Sequence, residues 1–125
     1  MFFIAAAACV SLTASAQRND QYDGRPAFSG EELYNWCRSA DPIDRRACAV
    51  YMCGLNDGWS ASLMIDRKRP YRFCPRQGVL CQRLGEVALK YLEAHPADRG
   101  EPAAKLGGYA LQDAFPCHGR YWIEE

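Results

Sequence analysis

Seven cysteines in 125 residues constrain this chain more than any other feature. Six of them, Cys37, Cys48, Cys53, Cys74, Cys81 and Cys117, lie in its central and C-terminal parts, while Cys9 stands apart near the start. What the six can form depends on the compartment. No Asp, Glu, Lys or Arg precedes Arg18, and Phe2 to Ala16 reads FFIAAAACVSLTASA, which is the pattern of an export signal. The apolar run is shorter than the roughly 18 to 20 residues that span a bilayer. It ends in Ala14-Ser15-Ala16, an A-x-A cleavage site that places the mature start at Gln17. No Lys or Arg stands ahead of the run, so either the free amino terminus supplies the positive charge or the true start lies upstream. Ala6-Ala7-Ala8-Cys9 imitates a lipoprotein box, but too few residues precede it to make an apolar core.

Cleavage removes Cys9 and leaves an even set, which in an exported chain reads as three disulfides. The rival is a zinc site, yet no two cysteines are two to four residues apart, and His95 and His118 are isolated. A domain of this size buries only about two-thirds of its unfolded surface, so bridges worth roughly 2 to 4 kcal/mol each are a large share of its stability.

Along the mature chain, residues 17–28 are polar, carry Gly and Pro and lack an apolar period, so they read as a flexible lead before a single helical domain at 29–125. Ser29 and Glu32 have capping-box spacing and predict a short helix over about 29–38. Asp41-Pro42 starts a long second helix, in which Ala47, Tyr51, Gly54, Leu55, Gly58, Trp59 and Ser62 recur at three- and four-residue steps. Within it Gly54 and Gly58 form a small-residue notch where another helix can approach. The period is lost from Asp66 to Gln77. Leu80, Leu84, Val87, Ala88, Tyr91 and Leu92 then make the clearest amphipathic stripe, ending at His95-Pro96. A fourth helix follows Pro102 and stops before Pro116.

No segment alternates with period two over a strand's length, so the fold class is all-α, a small four-helix antiparallel bundle stapled by disulfides. Six cysteines permit fifteen connectivities. Short connections between antiparallel neighbours favour Cys37 with Cys48 across the first hairpin and Cys74 with Cys117 at the ends of the last two helices. Elimination leaves Cys53 with Cys81.

Equal numbers of basic and acidic residues, 15 of each, argue against the basic face that nucleic acid or an anionic membrane requires. Catalytic sets are equally hard to find. The cysteines read as oxidised, His95 suits a helix C-terminus, and His118 adjoins a bridged cysteine. Gly107-Gly108 sits inside a helix with no strand before it, which rules out a phosphate loop. Glu31-Glu32 compensates the dipole at a helix start. No catalytic residue, metal ligand or cofactor site emerges.

The one segment with partner content is the basic loop, where Arg67, Lys68, Arg69 and Arg72 alternate with Tyr71 and Phe73. It offers charge and apolar anchors to an acidic cleft. The plainer account is a solvated surface loop. Trp36, Trp59 and Trp122 read as core or cap, with Trp122 the most exposed of the three.

Taken in order, Ser29-Gly30-Glu31-Glu32-Leu33-Tyr34-Asn35-Trp36-Cys37, Cys48 to Gly58 (CAVYMCGLNDG), Phe73-Cys74-Pro75, Lys90-Tyr91-Leu92-Glu93-Ala94-His95-Pro96 and Ala114-Phe115-Pro116-Cys117 resemble the Rap1a/Tai family of immunity proteins. Cys53, Cys81 and the dense basic run are additional to the expected family pattern. The resemblance implies a small periplasmic inhibitor, a homodimer, that binds and occludes a peptidoglycan amidase effector of type VI secretion, without catalysis of its own. Fold likeness does not by itself assign that role, and a general periplasmic helical binder or chaperone-like protein is the alternative.

Overall fold

The computed structural model describes residues 24–66 and 73–117. These form four helices, α1 (Gly30–Arg38), α2 (Pro42–Ile65), α3 (Cys81–Ala94) and α4 (Ala103–Ala114), with a 3-10 turn at Pro96–Asp98. No strand occurs among the described residues, and the architecture is an all-α bundle. None of these helices is long and apolar enough to cross a membrane.

Local chemistry sets the helix starts. The Ser29 hydroxyl accepts the Glu32 N–H at 3.3 Å while the Glu32 carboxylate accepts the Ser29 N–H at 2.8 Å, a complete capping box. The next two free donors of α1 reach across the bundle: Gly30 N–H donates to the Glu101 carbonyl at 2.7 Å and Glu31 N–H to that of Arg99 at 2.8 Å. Ala103 N–H returns a bond to the Phe28 carbonyl at 2.9 Å. The start of α1 is thereby docked onto the turn that leads into α4. For α2, the Asp41 carboxylate accepts the Ile43 N–H at 2.8 Å and Pro42 occupies the first turn, where its missing donor is harmless.

Every helix sends large side chains to one core: Leu33 from α1, Met52 from α2, Leu84 and Leu92 from α3, Leu106 and Leu111 from α4. Disulfides Cys37–Cys48, Cys53–Cys81 and Cys74–Cys117 tie the elements, and Cys74 N–H also donates to the Phe115 carbonyl at 2.8 Å beside the third bridge. These are the pairs expected from helix order.

Several details differ from the sequence expectation. In α2 the buried residues are Cys48, Met52 and Leu63, whereas Ala47, Gly54 and Gly58 face outward. Small and apolar residues occur all round this helix, so spacing alone does not choose a face; the Cys37–Cys48 bridge does, by drawing Cys48 inward. The notch is elsewhere too. A Cβ on Gly54 or Gly58 would meet nothing within 4 Å, whereas one on Gly85 of α3 would lie 3.2 Å from the Cys48 sulfur and 3.4 Å from the Ala49 Cα. Close approach of α2 and α3 therefore depends on Gly85. In the helix-three stripe, Leu84, Val87, Ala88 and Leu92 are buried, but Leu80 takes the extended N-cap position and is 71% exposed.

Phe28, at the end of the expected flexible lead, is packed edge-on against Trp36 (centroids 4.9 Å) and Tyr51 (5.9 Å). Its ring and its bonded carbonyl make it part of the fold.

Candidate partner-binding surface

Of the basic loop, Arg67, Lys68, Arg69, Tyr71 and Arg72 lie outside the described residues, as do His118 and Trp122. The structure defines the two stems that hold the loop. On one side α2 ends at Asp66, whose N–H donates to the Ser62 carbonyl at 2.9 Å. On the other, Phe73 is only 6% exposed and its ring lies 5.8 Å from that of Trp59. Phe73 is thus not an exposed anchor for a partner. An aromatic beside a bridged cysteine gains more from burial against Trp59 than from solvent exposure, and it fastens the loop to the bundle. Cys74 repeats that fastening covalently through Cys117. Beyond it Gln77-Gly78 turns the chain into α3, with Gly78 at φ +80°, a conformation that favours glycine.

The surface around these stems is shallow and mixed. One cleft, between the end of α2 and the segment before α3, is lined by Asp57, Trp59, Leu63, Phe73 and Arg76. A second, between α2 and α4, is lined by Leu55, Gly58, Trp59, Phe73 and Tyr109. Trp59 lines both, and its indole nitrogen is buried without a hydrogen-bond partner among the described residues. The shape offers contact surface more than an enclosed pocket.

The groups with shifted titration are not poised for acid–base chemistry. Burial raises the Tyr51 phenol above its ordinary value, and burial, with Asp113 and Asp98 adding to it, does the same at Tyr91. The hydrogen bond that the Lys105 ammonium donates to the Glu101 carboxylate at 3.1 Å raises Lys105. All three groups are held protonated near neutral pH, the opposite of what a general base or amine nucleophile needs. His95 has a local role: its Nδ1 lies 2.8 Å from the Tyr91 carbonyl, to which it donates, and its ring is stacked 4.0 Å from that of Tyr91. All six described cysteines are bridged, so none supplies a thiolate. No group of three or more potential metal ligands occurs among the described residues.

One structural residue had no signal in the sequence. Arg99, in the turn after α3, donates from Nε to the Leu92 carbonyl at 2.9 Å and lies with its guanidinium 3.5 Å from the Tyr34 ring centroid. Its backbone carbonyl accepts the Glu31 N–H as well. It therefore braces α1 against the end of α3.

Compared with known protein families, residues 29–117 match the model of the Rap1a immunity proteins. No curated protein matches the chain.

Proposed function

The chain belongs to the Rap1a immunity protein family, and from that premise we propose that it protects a bacterium by binding and occluding a peptidoglycan amidase effector of type VI secretion in the periplasm. The family match, which takes in most of the chain, is the observation that carries this reading. Export follows from the signal-like segment ahead of Gln17, and the three bridges suit an oxidising compartment. The protein acts as a homodimer and as a rigid plug, in the manner of inhibitors whose interface backbone moves little on binding.

Arg67, Lys68, Arg69, Tyr71 and Arg72 are the proposed contacts, and Phe73 and Cys74 hold the end of that loop. Fixing a loop at its stems lowers the ordering cost of binding. Four cations in six residues also steer an acidic cleft toward the complex. The test is titration of the purified, oxidised protein into a peptidoglycan amidase encoded beside it, with cell-wall cleavage as the readout. Stoichiometric loss of cleavage is expected. Cleavage that continues unchanged with the protein in excess, together with native co-purification free of any hydrolase, would overturn the reading.

A further inference from the structure

The outward face of α2 carries apolar residues that no other described element covers. Ile43, Val50 and Ile65 are 76%, 58% and 88% exposed. Ala47, Gly54, Gly58 and Ala61, exposed as well, stand between them. At about 100° per residue these positions fall in one arc roughly 80° wide, and no charged or polar side chain interrupts it. Met64, 79% exposed, flanks the arc, so four of the seven large apolar side chains exposed among the described residues gather on this one helix face. An apolar stripe of this kind marks an interaction surface.

The two glycines strengthen the point. Glycine disfavours a helix interior relative to alanine, and neither Gly54 nor Gly58 is needed for packing within the chain, since an added Cβ would touch nothing. What they leave open is room for a backbone arriving from outside, as a Gly-x-x-x-Gly pair does between helices.

The spacing identifies the visitor. Ile43 and Ile65 lie eleven residues before and after Gly54, Ala47 and Ala61 lie seven, and Val50 and Gly58 lie four. The stripe is a palindrome about Gly54. A two-fold interface requires that residue i meet j while j meets i, and this order satisfies the requirement for antiparallel helices. We propose that α2 packs antiparallel on α2 of a second copy of this chain, about a two-fold axis at Gly54. Ile43 then meets the partner's Ile65, Ala47 the partner's Ala61, and Val50 enters the space above the partner's Gly58. A parallel pair would instead set Val50 against Val50 and leave the two Gly58 positions facing a void.

Charge agrees with the antiparallel choice. Arg46 and Asp57 lie on the same flank of the stripe, about 20° apart around the helix. Across the axis Arg46 comes within about 8 Å, measured along the helices, of the partner's Asp57, which an extended arginine can span. Neither residue has an ion-pair partner among the described residues, and the two-fold forms the pair twice.

This specifies the homodimer of the preceding reading and rests on that part of it, whereas amidase inhibition is measured separately. The experiment is sedimentation velocity of the oxidised full chain over a concentration series. Wild type is expected to be dimeric at micromolar concentration. Gly54→Leu favours the helix and its Cβ meets nothing within 4 Å in the monomer, so its helical circular dichroism and cystine map should be unchanged while its dimer dissociation constant rises by about a hundredfold. Arg46→Asp should weaken the dimer and Arg46→Asp with Asp57→Arg should restore it, which only direct pairing across the axis explains. A wild type that is monomeric throughout, or a Gly54→Leu dimer as tight as wild type, overturns the proposal. If Gly54→Leu remains dimeric but no longer inhibits the amidase, the α2 face belongs to the toxin instead.

Discussion

Removing the Arg99 guanidinium gives a sharp test of what braces the bundle. Two arginines lie over the Tyr34 ring, Arg99 at 3.5 Å from the centroid and Arg38 at 5.1 Å. Only Arg99 also satisfies a carbonyl in the last turn of α3, that of Leu92. That carbonyl has no partner within its helix, so losing the donor leaves it to water. Arg99→Met keeps the apolar stem and removes both interactions. The cation over the ring contributes about 0.5 to 2 kcal/mol according to its desolvation. A hydrogen bond from a charged donor contributes about 1.5 to 3 kcal/mol when fully buried. Arg99 is half-buried, so water replaces part of both, and the expected loss is about 2 kcal/mol. For a domain near 100 residues this lowers Tm by roughly 8 to 16 °C. Arg38 is exposed and its Nε is already bonded to the Asn35 side chain at 3.1 Å. Arg38→Met should therefore change stability by less than about 0.5 kcal/mol. Urea unfolding of the oxidised proteins, followed by circular dichroism, measures both variants. Equal losses at the two positions, or an Arg99→Met protein as stable as wild type, would refute the brace.

Leu84→Ala, at a fully buried position, should cost about 2 to 5 kcal/mol, while Glu86→Ala, exposed and paired only with Arg83 at 3.3 Å, should stay within about 0.5 kcal/mol; urea midpoints compare them. Substituting Arg67, Lys68, Arg69 and Arg72 together by Ser should leave the cystine map intact, weaken amidase binding by more than about tenfold and flatten its salt dependence, as read by calorimetry at two ionic strengths. Tyr51 and Tyr91 have raised folded values, so the folded state holds their protons longer than the unfolded chain. Their contribution is complete below the ordinary tyrosine value of 10.0 and is lost as pH rises through the folded values, so the urea midpoint should fall above about pH 10.

Helix starts were legible because capping is local: Ser29 with Glu32, and Asp41 with Pro42, need only a few neighbouring residues to act. The disulfide partners followed from helix order, since each short connection leaves few sulfurs within reach. The outward face of α2 was not legible, because Ala47, Gly54 and Gly58 look like packing residues in one dimension and only the position of Cys48 shows which side is inside. Leu80 continues an apolar period into a residue that is no longer helical. Phe73 reads as a member of the basic run, yet its ring packs on Trp59, back in α2, and Arg99 reaches Tyr34 across more than sixty intervening residues. Contacts of that separation leave no mark on periodicity. The proposed binding loop was visible only as composition.

The placement of the three bridges bears on how the protein survives protease. Cys37–Cys48 spans the connection between α1 and α2, Cys53–Cys81 that between α2 and α3, and Cys74–Cys117 that between α3 and α4. A single nick in any connection therefore leaves both fragments covalently joined. A single trypsin cut after Arg67, Lys68 or Arg72 would open the backbone without releasing a piece, giving one band on a gel run without reductant and two with it. The basic segment can be severed while the pieces stay together, so a nicked molecule can still hold its helices in register.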